Sequence, residues 1–362
     1  MKNKILFILH LPPPVHGSSM VGKYIQDSQI INKTFSTRFI NLGTSQSVNE
    51  IGKNPLLKIT RYLKILVSFI HKMVKFKPDL IYLAITAKGI GFYKDLPIAL
   101  IAKLFRKKLV LHYHNKGVKT HQNNFIDNNL YKLLFKGTKV ILLSELLYDD
   151  VKKYVSEENV YYCPNGIPIV KYEKSEKKAA QIPQLLFLSN LMQSKGVFNL
   201  LDALKILKER KINFHCNFVG GEADISSQQL KQKISELNLQ DFVTYHGKQF
   251  GYDKYKLFNR SDIFILPTHN ECFPLVILEA MMFGLPVIST NEGAIAEIID
   301  DNETGFLVNK RDSVVLANKI QLLIANPSLR KKMGGKGKEK FEREYTLSHF
   351  EQNMTEILRK IV

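Results

Sequence analysis

Cysteine is scarce in this 362-residue chain: Cys163, Cys216 and Cys272 stand far apart, with no CxxC pair and no Cys/His ligand spacing. That pattern excludes a disulfide framework and a structural zinc site, and it fits a reducing cytoplasmic compartment. Long apolar runs are missing too. No stretch approaches the roughly 18 uninterrupted apolar residues needed to cross a bilayer, so a soluble or peripherally bound protein is expected. The opening MKNKILFILHLPPPVHG puts lysines before an apolar run, but His10 and three prolines break that run and no small-residue cleavage site follows. It reads as a first buried strand and not as a signal peptide. Acidic residues are sparse at one end: residues 1–170 hold 25 Lys+Arg against 10 Asp+Glu, while the remainder holds 27 against 23.

Most of the formal charge of +19 therefore belongs to the first half. A surface this basic draws polyanions, whether anionic lipid, lipid-linked diphosphate or nucleic acid. A proteome rich in lysine throughout would load both halves alike. With 45% hydrophobic and 23% charged residues, the composition is globular, and at about 150 residues per domain the length implies two domains.

Short apolar, β-branched runs alternate with longer amphipathic ones, the pattern of βαβ units and parallel sheets. KILFILH, TRFINL, DLIYLAI, KLVLHYH, KVILLS and NVYYC are the strands expected in the first half; QLLFLSN, FHCNFVG, VTYHG, DIFILP, PVIST and GFLV are those of the second. Between the sets lies a polar, lysine-rich, proline-bracketed stretch. The expected division is a first domain at 1–168, a linker at 169–184, a second domain at 185–345 and a C-terminal helix at 346–362. In that helix Leu347, Phe350, Met354, Ile357, Leu358 and Ile361 fall on one face, and Thr346 stands where a cap would. A further helix, LLKITRYLKILVSFIHKMVKFKP, is apolar and basic with no acidic residue. It reads either as a membrane-interface helix or as a sheet-packing helix whose outer face is basic.

Several motifs bear on chemistry. HLPPPVHGSSMVGKY follows the first strand and contains Gly17-x-x-x-x-Gly22-Lys23-Tyr24, one hydroxyl short of a phosphate-binding loop, since Tyr24 replaces the Ser or Thr that would ligate magnesium. The helix is expected to begin near Ser18, which puts Gly22 inside it. What remains is a glycine, Gly17, where a ligand can approach backbone at a helix start. His112 and His114 share one face of the strand KLVLHYH, with His114 at its carboxyl end, where open α/β sheets bind ligands. His112 is expected to be structural and His114 functional. In the second half Lys195 precedes a helix start, where a cation and helix N-terminus together can hold a diphosphate. In NECFPLVILEAMMFGLPVIST, residues 270–290, Glu271 falls in the loop and Glu279 inside the helix, with Pro274 in the first turn and Gly284 as the stop. A carboxylate on so apolar a helix needs partners. Sugar hydroxyls would serve, and so would a neighbouring lysine.

Together HNECFPLVILEAMMFGLPVIST, SNLMQSKGV, CPNGIP and EGAIAEIIDDNETGFLV resemble the retaining glycosyltransferases of family 4 and their E-x7-E signature. The likeness covers the second half and, more loosely, PPPVHG and HYHN. It implies an α/β fold of the GT-B type, two Rossmann-like domains facing across a cleft, the C-terminal helix packing back on the first. It implies a hexosyltransferase-type enzyme moving a sugar from a nucleotide-diphosphate donor, with retention, in cell-surface polysaccharide or glycolipid synthesis. Glu279 would bind the ribose and Lys195 the diphosphate, while Glu271 would meet the donor sugar. The backbone N–H groups of Cys272 and Phe273 would face the donor, with Asn190 and Gly17 also on its path and His114 at the acceptor. No cofactor or metal is implied. Expected partners are a nucleotide sugar, a lipid-linked or saccharide acceptor and, through the basic first domain, an anionic membrane surface at the cytoplasmic face, but no nucleic acid. Three departures stand out: Asn190 where arginine is common, Pro274 where glycine is common, and Asn-Glu-Gly-Ala at 291–294 in place of a double glycine. Two other functions remain open, a nucleotide-sugar epimerase of the same fold and a non-catalytic nucleotide-sugar-binding protein.

Overall fold

The structure, a computed structural model, describes residues 2–43, 55–170 and 182–362. The chain folds into two compact units, one of Met1–Gly166 with Leu347–Val362 and the other of Ile167–Thr346. Most of the linker expected at 169–184 lies outside the described residues.

All twelve expected strands are present. In the first unit they are β1 (Lys4–Leu9), β2 (Ser36–Asn41), β3 (Leu80–Ile85), β4 (Lys108–Tyr113), β5 (Lys139–Leu142) and β6 (Val160–Tyr162), in the order β2-β1-β3-β4-β5-β6. In the second they are β7 (Gln184–Leu188), β8 (His215–Val219), β9 (Val243–Tyr245), β10 (Ile263–Leu266), β11 (Val287–Thr290) and β12 (Gly305–Val308), in the order β12-β11-β10-β7-β8-β9. Every pairing is parallel. Central strands such as β3, β10 and β11 are buried at every position, whereas the edge strand β2 is mostly half-exposed. This is why the central strands read as unbroken apolar runs: helices cover both faces of a parallel sheet.

Each sheet reverses its winding once. From β1 the chain moves out to β2, then returns past β1 to β3; from β7 it moves out through β8 and β9, then returns to β10 on the other side of β7. At such a reversal the loops leaving the carboxyl ends of the two adjacent strands diverge and open a crevice, the usual ligand position in open α/β sheets. The relevant loops are 10–16 and 86–88 in the first unit, 189–196 and 267–274 in the second.

The C-terminal helix, Leu347–Ile361, returns to the first unit and packs against the short helix Gln29–Thr34. Phe350, Met354, Ile357, Leu358 and Ile361 are buried there, and Lys108 Nζ donates to the Val362 carbonyl over 2.9 Å.

Candidate active site

At the second unit's reversal point, loop 189–196 ends in a 3-10 turn, Gln193–Lys195, and Gly196 then opens the helix Val197–Glu209. Only glycine serves at 196. Its φ is +75°, and a Cβ there would lie 2.0 Å from the Pro267 carbonyl oxygen. The two loops are further tied by the His269 N–H donating to the Ser194 carbonyl at 2.6 Å and by Thr268 Oγ1 donating to the same oxygen at 3.0 Å. This close approach brings residues 76 apart in sequence together: Lys195 Nζ is ion-paired with Glu271 Oε1 and also donates to the Asn270 carbonyl at 3.4 Å. The paired side chains keep only 18% and 17% exposure, so the charges are shielded without being sealed off.

A third loop holds Glu271 in place. The Glu271 N–H donates to Glu292 Oε1 at 3.4 Å, and the Ala294 N–H donates to the Cys272 carbonyl at 2.8 Å. Gly293 has φ +57°, and a Cβ on it would approach the Glu271 carbonyl oxygen to 2.4 Å. Glu292 is buried and paired with Lys310. By sequence, Asn-Glu-Gly-Ala is only a weakened motif. The signal it does carry is a glutamate and a glycine directly after a strand.

The helix carrying the second glutamate runs Leu275–Met282, with Pro274 as its N-cap and not within its first turn as expected. A proline has no N–H to give at that point. Cys272 and Phe273 are both buried. The Cys272 N–H donates to Glu271's own carboxylate at 3.3 Å, the nearest anion in the loop. Glu279 takes the plainer of its two expected partners: Lys254, on the helix Gly251–Arg260, donates to Glu279 Oε1 over 2.6 Å, both side chains retaining under a fifth of their exposure. Burial raises the Glu279 pKa above the usual carboxylate value, and the Lys254 charge opposes that rise. Nothing in the sequence around Lys254 announces this pairing. Asn190 is exposed and stands beside Gly221, whose Cβ would lie 3.6 Å from Asn190 Oδ1. An open hollow of about 720 Å³ borders the same loops, walled by Gln193, Ser194, Asn199, His269, Asn270 and Arg311 among others. That volume is within the range of ligand pockets.

In the first unit, helix Gly17–Asp27 is capped by His16, whose Nδ1 accepts from the Ser19 N–H at 3.3 Å. Gly17 opens this helix and has nothing within 4 Å of where a Cβ would stand. Gly22 is inside the helix, pressed on the His10 carbonyl, and Lys23 pairs with Asp27 at 2.8 Å. No phosphate loop forms. His112 is fully buried and hydrogen-bonded to Tyr82, while the His114 ring lies 4.1 Å from the His112 ring and leaves Nδ1 without a partner. Burial lowers the His114 pKa to about 4, helped by His16. It lowers His10 to about 3, helped by Lys94, His16 and His114. Three imidazoles, from His10, His16 and His114, thus gather at the carboxyl ends of β1 and β4, and burial lowers the pKa of each. Strand position alone singles out only His114, although His10 and His16 flank the prolines of the first loop.

Residues 168–340 match the family model described as glycosyl transferases group 1. That segment is similar to glycosyltransferase group 1 domains. Among curated relatives, the capsular polysaccharide biosynthesis glycosyltransferase CapM of Staphylococcus aureus is 26% identical over 228 residues, 59% of this chain and 59% of its own length. The N-acetyl-alpha-D-glucosaminyl L-malate synthase of Bacillus anthracis is 24% identical and covered over 96% of both chains. The matched stretches span between about a third and three fifths of the first few relatives. Among solved structures, Anabaena HepE in complex with UDP superposes with TM-score 0.76 at 18% identity, over 99% of this chain and 100% of that one. A glycosyltransferase from Rickettsia africae gives TM-score 0.71 at 22% identity, over 99% and 98%. The fold is GT-B. The matched segment contains Lys195, Glu271, Glu279 and their bracing residues Lys254 and Glu292, while Gly17 and His114 belong to the other Rossmann-like unit.

Proposed function

We propose that the protein is a retaining hexosyltransferase of glycosyltransferase family 4 that moves a sugar from a nucleoside diphosphate to a lipid-linked or saccharide acceptor, in cell-surface polysaccharide or glycolipid synthesis at the cytoplasmic membrane face. The observation that carries this reading is the meeting of Lys195 and Glu271 at the reversal point of the second sheet, in the loop just ahead of the helix Leu275–Met282 that carries Glu279. The complexes of HepE with UDP and UDP-glucose support a uridine nucleotide as the first donor to try. The relatives named for capsular polysaccharide, colanic acid and amylovoran synthesis support the polysaccharide role.

In this reading a bound donor replaces Glu271 as the partner of Lys195. The ammonium then faces the diphosphate, and the freed Glu271 carboxylate accepts from sugar hydroxyls. Glu279 accepts from the ribose hydroxyls while Lys254 keeps its charge balanced. The bond from sugar C1 to the diphosphate oxygen breaks as the acceptor oxygen bonds C1 from the same face. The acceptor proton passes to the departing diphosphate, so no enzymic nucleophile is required. Lys195 offsets the charge growing on that leaving group, where preorganised electrostatics lowers the barrier most. The neutral His114 hydrogen-bonds the acceptor hydroxyl. A metal is not needed to hold the donor when lysine and backbone donors meet the phosphates.

The test is a thermal-shift panel of UDP-, GDP- and ADP-sugars followed by product analysis. A true donor at 100 times its Kd stabilises by about 2.7 kcal/mol, and with an acceptor present it yields free nucleoside diphosphate and a glycoside. Isomerised donor without an acceptor would point to an epimerase. Stabilisation without turnover would point to a binding protein.

A further inference from the structure

One helix carries apolar residues that the fold leaves uncovered. Helix Pro55–Phe76 packs on the first unit through Phe69 and Met73, both buried, and through Tyr62, whose hydroxyl donates to the Lys94 carbonyl at 2.5 Å. A second face holds Leu56, Ile59, Leu63, Val67, Ile70 and Val74, each between 42% and 78% exposed. At about 100° per residue these six positions fall in a sector of roughly 80°, so they form one continuous stripe along the helix. Beside the stripe, on the side away from the sheet, run Lys64, His71 and Lys75, and the helix contains no acidic residue. Scattered exposed apolar side chains are ordinary, but a one-sided stripe on a 22-residue helix bordered by cations is the make-up of an interfacial helix.

The stripe continues toward the substrate end of the sheet. Helix Pro55–Phe76 runs into β3, so its Pro55 end points to the sheet's carboxyl edge. The next helices begin at that edge: Gly89–Leu104, with Ile90 88% exposed, and Phe125–Phe135, with Phe125 81% exposed and Ile126 also exposed. The Tyr93 hydroxyl donates to Asp127 Oδ1 at 2.5 Å, locking these two helix starts together. Apolar side chains therefore rim the edge that also holds His10, His16 and His114. Among the described residues no helix is long and apolar enough to cross a membrane, so this face can lie on a bilayer without spanning it.

We infer that the stripe of helix Pro55–Phe76 seats in the interface of an anionic bilayer, Lys64 and Lys75 against the headgroups, and that Ile90, Phe125 and Ile126 anchor the carboxyl edge of the first sheet at the same surface. The cations commit the face to a negatively charged occupant, and the apolar stripe commits it to one with a hydrocarbon layer. Charge near such a surface multiplies binding by roughly five-fold per lysine or arginine, and burial of the stripe adds the apolar part. The inference specifies the membrane contact of the proposed transferase and rests on that reading only for the acceptor, because binding is read with no donor present.

The experiment is flotation of the full chain with zwitterionic vesicles with and without phosphatidylglycerol. Wild type floats with the anionic vesicles and is released by high salt. Leu63→Ser with Val67→Ser, both at exposed positions, lowers the vesicle partition coefficient roughly ten-fold or more, and Lys64→Gln with Lys75→Gln lowers it for anionic vesicles alone. Melting temperatures equal to wild type certify the variants as folded. Equal flotation with neutral vesicles, or undiminished flotation of the serine variant, overturns the inference. So does a dimer in sedimentation velocity that the serine variant dissolves while vesicles bind nothing, since the stripe would then be covered by a second copy. Transfer to a soluble saccharide acceptor, measured alongside, reads the catalytic proposal separately: its survival without vesicle binding removes this inference alone.

Discussion

Lys254 Nζ sits 2.6 Å from Glu279 Oε1, and each side chain is more than four-fifths withdrawn from water. A glutamate proposed to accept from ribose hydroxyls is already held by a lysine to which no sequence motif points. The pair is a ready charge balance: burial raises the Glu279 pKa and the Lys254 charge opposes that rise.

Removing one partner separates the two roles. Glu279→Gln is expected to weaken donor binding by about ten-fold, about 1.4 kcal/mol, with a smaller effect on melting temperature. Lys254→Met, which leaves the carboxylate buried and alone, is expected to cost more stability than Glu279→Gln, since an unpaired buried charge is the expensive product. Calorimetric titration with nucleoside diphosphate and a melting curve on each variant decide it. A glutamine variant with wild-type affinity removes Glu279 from the donor site.

Lys195 is expected to act on the leaving group more than on binding. Lys195→Ala should lower kcat by about 10²–10³ while melting within a few degrees of wild type, because Glu271 remains partly exposed and can be hydrated. Initial rates of nucleoside diphosphate release provide the measurement. A lowered affinity with unchanged kcat would assign Lys195 to ground-state binding.

Two glycines make opposite predictions. Gly293→Ala forces a Cβ against the Glu271 carbonyl at a positive φ, and should cost about 1–3 kcal/mol of stability along with activity. Gly17→Ala meets nothing within 4 Å, so it should leave the melting temperature unchanged and reduce activity only if a ligand comes close there. Full activity in Gly17→Ala would take Gly17 out of the site.

The histidine cluster predicts acid sensitivity. His10 and His114 are held neutral by burial, at about 3 and about 4 against an ordinary 6.5. Groups with depressed pKa stabilise the fold above the unfolded value and withdraw that stability as pH falls through the folded one. The melting temperature should therefore decline as pH drops from about 6.5 toward 4, and His114→Asn should flatten that decline over the same window. A variant whose melting temperature tracks wild type at every pH would show that His114 carries none of the effect.

The twelve strands, their parallel pairing and the one-sided C-terminal helix were legible in the chain, because buried parallel strands and packed helices impose hydrophobic periods of their own. Lys195 and Glu271 were legible as candidates, since each follows a strand at a loop where ligands gather. Their meeting was not: it depends on the reversal of winding between β7 and β10 and on Gly196 lying against Pro267, and strand order leaves no mark on local sequence. For the same reason Lys254 and Glu292 went unseen, as did His10 and His16 beside His114, each a partner supplied from a distant segment. The exposed stripe of helix Pro55–Phe76 was equally undecided, for periodicity shows that a helix has an apolar side but not which side the fold covers. Sequence by itself determined the elements, their grammar and the chemistry on offer. Tertiary structure alone decided which charges meet and which apolar surface stays open, because pairing energies depend on distance and burial that only the folded chain sets.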